Sequence, residues 1–186
     1  SYDLVDLEWY FSAVRRGFSP RGTYRYPGGE RAISMITSRG CPYKCVFCSI
    51  HLHMGYGWRC HSPQHVLNHL EYLVSNYGVK HIHFEDDNLT LNLLRFETIL
   101  DGIIERKLGI TWDTPNGIRA DRLTEELVAK CKKAGCTYLF IGVESGVQRV
   151  LKEVINKRLN LDAVRRVAKW CRDIGLDLGA FYVIGF

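Results

Sequence analysis

The sequence lacks a long apolar run and a strong excess of either charge. No stretch approaches the ~20 apolar residues that a membrane-spanning helix needs, and no secretory leader is visible. The 25 basic and 20 acidic residues leave a net charge of only +5, without a lysine-rich block, which argues against a nucleic-acid partner. These features predict a cytoplasmic protein without a membrane span.

The sequence also lacks a disulfide framework. Its seven cysteines are an odd number, and four of them stand at unrelated spacings inside or beside predicted helices and strands: Cys60, Cys131, Cys136 and Cys171. This usage is typical of a reducing compartment, in which an oxygen-sensitive metal cluster survives. With 186 residues, 46% of them hydrophobic and 24% charged, the chain has the size and composition of one folded domain.

The other three cysteines form the most informative motif. Cys41, Cys45 and Cys48 are spaced C-x₃-C-x₂-C directly after an apolar run. Thiolates bind zinc, copper(I) or iron–sulfur clusters, and three of them on one loop can hold one metal centre from one side. A [4Fe–4S] cluster normally takes four cysteines, so three would leave one iron open to a small molecule that the cluster can reduce.

Two other interpretations of this motif remain open from the residues alone. A zinc-stabilised binding module needs a fourth ligand, and four residues are close enough in sequence to supply it: His51, His53, Cys60 and His61. A plain electron-transfer iron–sulfur protein needs a fourth cysteine, for which Cys60 is the candidate.

Five apolar runs with strand character alternate with helical patterns along the chain. The predicted strands cover residues 32–38, 80–84, 110–112, 137–143 and 177–185. Four helices are predicted to begin at the N-cap residues Ser62, Asn92, Thr124 and Asn160. This alternation predicts an α/β fold with a parallel sheet and right-handed crossovers. Five units in simple succession favour a barrel-like sheet, with a doubly wound sheet as the alternative.

Two end segments lie outside this pattern. Residues 1–31 mix aromatic and basic side chains, and we expect a linker or N-terminal extension whose rings pack on the barrel wall. Residues 32–186 form the predicted core domain, which ends on an apolar strand without a closing segment. We therefore expect a fragment whose core is incomplete at its C-terminal end.

Polar residues follow three of the predicted strands, and the carboxyl ends of parallel strands meet at one rim. They are Glu85, Asp86 and Asp87 after the second strand, Asn116 and Arg119 after the third, and Glu144 and Ser145 after the fourth. Carboxylates suit an ammonium group, and arginine binds a carboxylate through a bidentate fork. The set therefore suits recognition of an amino acid.

These residues also have purely structural interpretations. Three adjacent acids are commonly a solvated turn. Arg119 could pair with Asp121 or Asp113 at the surface. Glu144 lies between an apolar strand and a glycine, so it must be paired if it is buried.

Two histidines alternate on the second predicted strand. His81 and His83 are two residues apart, so both side chains face the same side of the sheet. We expect a hydrogen-bonded structural role for them rather than metal ligation.

The cysteine loop, with Phe47 just before its third cysteine, resembles the cluster loop of the radical S-adenosylmethionine (radical SAM) superfamily. The resemblance covers residues 32–186, nearly the whole chain. It implies a partial TIM barrel of five to six βα units, truncated here after the fifth strand. It also implies that Cys41, Cys45 and Cys48 hold a [4Fe–4S] cluster, at which SAM is reductively cleaved to a 5′-deoxyadenosyl radical that abstracts hydrogen from a substrate.

The same resemblance implies a set of SAM contacts at the strand ends: Phe47, Glu85, Asp86, Asp87, Asn116, Arg119, Glu144, Ser145 and Ile184. The segment 85–87 stands where the family meets the amino group of SAM. Because this segment lacks the family's usual glycine-rich form, it leaves open which acid makes the contact. Glu144 and Ser145 occupy the position that usually reaches the ribose or the methionine end. The Phe47 backbone and the strand around Ile184 are expected at the adenine.

One branch of the superfamily, whose members carry an N-terminal cobalamin-binding domain, is similar to this chain in segments 58–59, 62–63, 84–87, 114–121, 142–146 and 183–186. That branch includes methyltransferases that act on unactivated carbons and the anaerobic oxidative cyclase of chlorophyll synthesis. The similarity implies a cobalamin held by a domain that is not in this chain. It also implies a small-molecule or cofactor-like substrate and an electron donor such as flavodoxin or ferredoxin.

Overall fold

The computed structural model describes residues 2–15 and 31–185. Its strands are β1 (Ala32–Met35), β2 (Ser38–Arg39), β3 (Arg59–Cys60), β4 (His81–Phe84), β5 (Thr111–Asp113), β6 (Cys136–Glu144) and β7 (Asp177–Tyr182). Five of them form an open parallel sheet in the order β1-β4-β5-β6-β7. Strands that follow one another in the sheet in chain order form a barrel wall. The predicted partial barrel is therefore confirmed, and the doubly wound alternative is excluded.

Six α-helices flank the strands: α1 (Leu7–Arg15), α2 (Ile50–His53), α3 (Pro63–Tyr77), α4 (Leu93–Glu105), α5 (Glu125–Lys133) and α6 (Leu161–Asp173). All four predicted N-caps are confirmed, because each of their side chains accepts a hydrogen bond from a backbone amide of the first turn. Within the described residues, none of the helices has the length and apolar character to cross a membrane.

The helices cover one face of the sheet, and the core lies between them and the strands. Trp112 on β5 is fully buried there and meets Phe84 of β4 and Phe96 of α4 edge-on, with ring centroids 5.6 and 6.2 Å away. Its indole nitrogen donates to the carbonyl of Ala134 at 2.9 Å, so burial leaves no polar atom of this ring unpaired. Alternation along the strands places His83 and Asp113 on the opposite face.

The predicted first strand, 32–38, is split in the structure. Pairing of β1 with β4 ends at Met35, and β2 then pairs antiparallel with β3. The chain leaves the sheet because the amide of Thr37 donates to a carboxylate oxygen of Asp86 at 3.1 Å, and not to a neighbouring strand. Residues 51–61, which follow the cysteine motif, contain part of α2 and all of β3.

Helix α1 packs on the core through Leu7 and Phe11, which are 7% and 1% exposed. The guanidinium of Arg31 lies 5.0 Å from the Phe11 ring centroid and pairs with Glu8 at 2.7 Å. Trp9, by contrast, is 67% exposed. The rest of the aromatic–basic segment, residues 16–30, lies outside the described residues, and the division of the chain at residue 31 stays a prediction.

The segment after β6 contains four apolar residues at helical spacing: Val147, Val150, Leu151 and Val154. The structure has a π-helical turn at Val150–Val154 in this segment. Leu151 is fully buried, but Val147 and Val154 are 54% and 40% exposed. Only part of this apolar set therefore packs in the core.

Candidate active site

The three cysteines of the C-x₃-C-x₂-C motif line one cleft at the carboxyl end of the sheet. Cys41, Cys45 and Cys48 are partly buried in this cleft, whose volume is about 220 Å³. Gly40 leads the chain from β2 into the loop with a φ of +84°. A Cβ at this position would collide with the backbone carbonyl of Gly57, so the loop requires glycine here.

Two hydrogen bonds anchor the cysteine loop to the segment that follows β6. The amide of Val46 donates to the carbonyl of Ile155 at 3.0 Å. The side-chain amide of Asn156 donates to the carbonyl of Lys44, also at 3.0 Å. The loop is therefore held from the far side of the sheet as well as from β2.

Asp86 is buried behind the loop and acts as a clamp on the chain that leads into it. Its carboxylate accepts hydrogen bonds from the Thr37 amide at 3.1 Å, from the Thr37 hydroxyl at 2.7 Å and from the Ser38 hydroxyl. Burial raises the pKa of this carboxyl, and the hydrogen bonds from Ser38 and Thr37 oppose the shift. Arg95 donates to the Thr37 carbonyl at 3.0 Å from the same side. A solvated turn is thus the wrong interpretation of Asp86.

The next two residues hold the loop further along. Asp87 accepts the amide of Gly40 at 2.7 Å. The side-chain amide of Asn88 points at the sulfur of Cys41, 3.5 Å away. Hydrogen bonds to ligand sulfurs tune iron–sulfur clusters, so Asn88 is placed to influence a cluster held by this thiol.

A buried ion pair forms the opposite wall of the cleft. Glu144 is 7% exposed, and its Oε1 lies 2.9 Å from Nζ of Lys157, which also donates to the carbonyl of Gly142 at 2.6 Å. The predicted requirement that a buried Glu144 be paired is confirmed. Glu144 has a φ of +69°, a conformation that costs energy for a residue with a side chain and is enriched at functional sites. The wall thus presents an anion and a cation side by side.

Arg119 lies in the same cleft, and its guanidinium contacts three other residues. It forms a bidentate pair with Asp121 at 3.0 and 2.9 Å and donates to the Arg158 carbonyl at 2.6 Å. Its carbon centre lies 4.0 Å from the Tyr43 ring centroid. Burial would lower the pKa of Arg119, but the Asp121 carboxylate raises it overall. Pairing with Asp121 was one of the predicted alternatives, although the guanidinium is buried and not at the surface.

Burial and two nearby cations act in opposite directions on the Cys45 thiol, and its pKa is raised overall. Burial raises the pKa of the Cys45 thiol, whereas the nearby cations of Lys157 and Arg119 act in the opposite direction. Metal binding needs the thiolate, so these two cations stabilise the form of Cys45 that ligates a metal.

The other predicted SAM contacts are not all at the cleft. Phe47, Asn116 and Asp87 line it together with the cysteines, and Asp87 is the one acid of segment 85–87 that does. Glu85 instead lines a second cleft, where it accepts a hydrogen bond from the Ser34 hydroxyl at 2.8 Å.

Ser145 and Ile184 are not among the described residues that line the cysteine cleft. The Ser145 hydroxyl accepts the amide of Val147 at 3.2 Å, and Ile184 is 98% exposed beyond the end of β7. Their assignment to SAM stays a prediction.

The residues considered as a fourth metal ligand lie elsewhere in the described structure. Cys60 is exposed on β3, and the ring of His61 stacks on that of His65 with centroids 4.5 Å apart. His51 and His53 belong to α2, and none of these candidates lines the cysteine cleft. The arrangement therefore argues against a closed zinc site and against Cys60 as a fourth cluster ligand.

Sequence reasoning missed Lys157 and Tyr43 as cleft residues. Lys157 follows a π-helical turn and not a strand, so it was not among the residues expected at the carboxyl ends of the strands. One signal was present, since a buried Glu144 requires a cation somewhere in the chain. Tyr43 stands between two ligand cysteines, where the spacing of the thiols gives no information about the side chains between them.

The family model of the Radical SAM superfamily matches residues 35–186. This chain belongs to the radical SAM superfamily. The resemblance of the cysteine loop and the prediction of an enzyme of this kind are confirmed, and a [4Fe–4S] cluster and SAM are the cofactors of the superfamily.

Two curated relatives belong to the two reaction classes that the resemblance implied. The chain is 34% identical over 180 residues to cytidylyl-2-hydroxyethylphosphonate methyltransferase of Streptomyces wedmorensis, with 97% of this chain and 32% of the relative covered. It is 26% identical over 159 residues to anaerobic magnesium-protoporphyrin IX monomethyl ester cyclase of Rubrivivax gelatinosus, with 86% and 28% covered. The chain thus spans about a third of the length of these relatives.

A solved radical SAM structure is also similar. The cobalamin-dependent enzyme OxsB, with aqua-cobalamin and S-adenosylmethionine bound, matches with a TM-score of 0.69 at 27% identity, covering 82% of this chain and 24% of that chain.

Proposed function

We propose that Cys41, Cys45 and Cys48 bind a [4Fe–4S] cluster and that this chain is the catalytic core of a cobalamin-dependent radical SAM methyltransferase. The observation that carries the proposal is the shared cleft: three thiols line it, and no fourth cysteine or histidine of the described residues does. The thiols fit the cluster because the side-chain amide of Asn88 lies 3.5 Å from the sulfur of Cys41, and because the cations of Lys157 and Arg119 oppose the larger effect of burial on the pKa of Cys45. Such a set leaves one iron open to SAM.

The polar residues of the cleft suit the aminoacyl end of SAM, which carries one ammonium and one carboxylate. Glu144 and Asp87 supply carboxylate oxygens for the ammonium, and Lys157 supplies a cation for the carboxylate. Because Glu144 and Lys157 already pair at 2.9 Å, SAM would replace one buried ion pair by two, and these two pairs would offset the lost hydration of its ammonium and carboxylate groups.

The other proposed contacts orient the nucleoside and exclude water. Phe47 and Asn116 line the same cleft, and Arg119 is held against Tyr43 as part of its wall. When bound, the cluster supplies one electron that cleaves SAM to methionine and a 5′-deoxyadenosyl radical. The residues around it bind and orient SAM so that this radical meets a substrate and not water.

Methyl transfer is the favoured reaction class because the methyltransferase relative is 34% identical and the cyclase relative 26%. We include cobalamin in the proposal because the chain is similar in structure to the cobalamin-dependent enzyme OxsB. A small-molecule substrate and a low-potential electron donor, of the flavodoxin or ferredoxin kind, complete the proposed reaction.

Anaerobic reconstitution with iron and sulfide tests the proposal. We expect about four irons per chain, a brown protein, and release of 5′-deoxyadenosine and methionine from SAM under a chemical reductant, measured by mass spectrometry. Cys48→Ala should abolish both cluster binding and SAM cleavage. Cys60→Ala removes an exposed thiol outside the cleft and should change neither cluster binding nor SAM cleavage. A colourless protein with one zinc per chain, or a full cluster that never cleaves SAM, would overturn it.

A further inference from the structure

An open groove with a volume of about 880 Å³ lies beside the cysteine cleft, between the π-helical turn and the first turns of α6. Lys157 lines both the groove and the cleft, so this side chain forms a wall between them. Asn156 also lines the groove, and its side-chain amide donates to the carbonyl of Lys44, the residue before Cys45, at 3.0 Å. The groove therefore adjoins the loop that carries the thiols.

The segment that forms this groove is strongly basic. Residues 149–166 contain six basic and two acidic residues, although the whole chain has a net charge of only +5. Both acids already have a partner inside the segment: Glu153 lies 3.6 Å from Arg149, and Asp162 lies 2.6 Å from Arg165. Most of the excess charge of the chain is thus concentrated here.

Two exposed cations of the groove form no ion pair within the part of the chain that the structure describes. They are Lys152, at the π-helical turn, and Arg158, which follows the buried Lys157. Lys157 itself is already paired with Glu144 at 2.9 Å, so it does not offer an unpaired buried cation to a small anion. Exposed cations of this kind attract an anionic surface from a distance and stay hydrated until contact. The groove is therefore better suited to a macromolecule than to a small ligand.

We propose that this groove is the docking surface for an acidic, low-potential electron-carrier protein, and that Lys152 and Arg158 supply the charges that recognise it. The inference rests on the proposed function, in which the cluster on the adjoining loop needs one electron. That electron passes from the reduced carrier to the cluster, so the carrier is oxidised by one electron while no proton moves and no bond forms or breaks. Electron-transfer complexes are typically small and transient, and complementary charge governs their rate of association more than their affinity.

A nucleic acid is the other polyanion that a basic groove could attract. None of the described residues that line the groove is aromatic, so the groove has no ring on which an unpaired base could stack. The thiol loop next to the groove gives an electron carrier a reason to dock there, and it gives a nucleic acid none.

Binding of a purified bacterial flavodoxin to the purified chain, measured by isothermal titration calorimetry at low salt, tests the surface without any turnover. We expect the double variant Lys152→Glu/Arg158→Glu to bind at least about tenfold more weakly than the wild type, because each reversal places like charges opposite each other. Added salt should weaken binding to the wild type as well. Lys133→Glu is the matched control: Lys133 is exposed at the end of α5 that leads into the amino end of β6, and the change should alter the dissociation constant less than about twofold.

SAM cleavage distinguishes this inference from the proposed function. With a chemical reductant, the double variant should release 5′-deoxyadenosine as fast as the wild type, but with reduced flavodoxin below saturation it should be at least about tenfold slower. A wild type that never cleaves SAM with the chemical reductant would refute the proposed function, whereas the binding measurement would still decide whether the groove is the docking surface.

Four results would overturn the docking surface, once circular dichroism melts show that both variants are folded. They are undetectable binding of flavodoxin to the wild type, equal binding to the double variant, an equally large effect of Lys133→Glu, and a slower reaction of the double variant with the chemical reductant. A single-stranded oligonucleotide that binds more tightly than flavodoxin and requires Lys152 and Arg158 would replace the electron carrier with a nucleic acid.

Discussion

Replacing Asp86 separates the structural role of this buried acid from a role in binding SAM. Its carboxylate accepts three hydrogen bonds from Thr37 and Ser38, next to the loop that carries the cysteines. In Asp86→Ala the two hydroxyls can turn to other acceptors, but the Thr37 amide is fixed by the backbone and loses its partner. In Asp86→Asn the side-chain oxygen still accepts from that amide.

The magnitude follows from these contacts. A hydrogen bond to an ionised group contributes about 1.5–3 kcal/mol to the free energy of unfolding. Removing the carboxylate also removes the cost of its desolvation, which offsets part of the loss of the three hydrogen bonds. We therefore expect Asp86→Ala to lower the free energy of unfolding by about 3 kcal/mol and Asp86→Asn by about 1 kcal/mol. A loss of 3 kcal/mol is a large fraction of the roughly 5–15 kcal/mol that stabilises a domain.

Urea unfolding of the cluster-free protein, followed by circular dichroism, measures these differences. Asp101→Ala is the matched control, because Asp101 pairs with Lys130 at 3.0 Å while its side chain is 47% exposed, and we expect a loss within about 1 kcal/mol. If Asp86→Ala lowers the free energy of unfolding no more than Asp101→Ala does, the hydrogen bonds of Asp86 do not stabilise the fold.

Titration gives an independent test of the same residue. Burial raises the pKa of Asp86 above its ordinary value of 3.8, so the folded protein holds this proton at a higher pH than the unfolded chain does. As the pH falls through the folded pKa towards 3.8, the free energy of unfolding of the wild type should therefore rise relative to Asp86→Asn, which has no proton to bind. A constant difference over that window would show that the carboxyl is not desolvated.

Three further predictions concern the loop, the ion pair and the thiols. Gly40→Ala should destabilise the protein by about 2 kcal/mol or more, because the new Cβ would collide with the Gly57 carbonyl, and it should prevent cluster assembly, measured as the iron retained. Gly55→Ala is the control: Gly55 also has a positive φ, but the space around it is open, so the substitution should cost only about 1 kcal/mol. Lys157→Met should cost about 3–5 kcal/mol in urea unfolding by leaving Glu144 buried without its cation, whereas exposed Lys152→Met should change stability by less than about 0.5 kcal/mol. Native alkylation with iodoacetamide should label Cys60 and the cleft thiols of Cys41, Cys45 and Cys48 in the cluster-free protein, but Cys60 alone in the reconstituted protein. The core thiols of Cys131, Cys136 and Cys171 should react only after unfolding, because burial raises their pKa values, that of Cys171 to about 11.

Local patterns predicted much of the fold because their physical causes are local. The N-caps at Ser62, Asn92, Thr124 and Asn160 bind amides only two or three residues away, so the printed sequence contains both partners side by side. The strand order also followed from alternation, since each strand pairs with the next strand of the sheet in the chain.

Long-range hydrogen bonds account for most of what the sequence concealed. Thr37 leaves the first strand because of Asp86, 49 residues further on, and no apolar pattern encodes that contact. The same contact removes Asp86 from the cleft, while Asp87, one residue later, lines it. Lys157 was missed because only the burial of Glu144 shows that this carboxylate needs a cationic partner, and the sequence does not show that burial.

Strands β2 and β3 pair through only two residues each, at the base of the cysteine loop, and they are not part of the five-stranded sheet. A ladder this short contributes little stability by itself, so the hydrogen bonds of Asp86 to Thr37 and Ser38 hold this region, and the partly exposed thiols are accessible in the folded protein. A carrier that delivers preformed iron and sulfide would thus meet thiols that are already in place on a folded scaffold. Maturation of this protein can follow folding and need not accompany it.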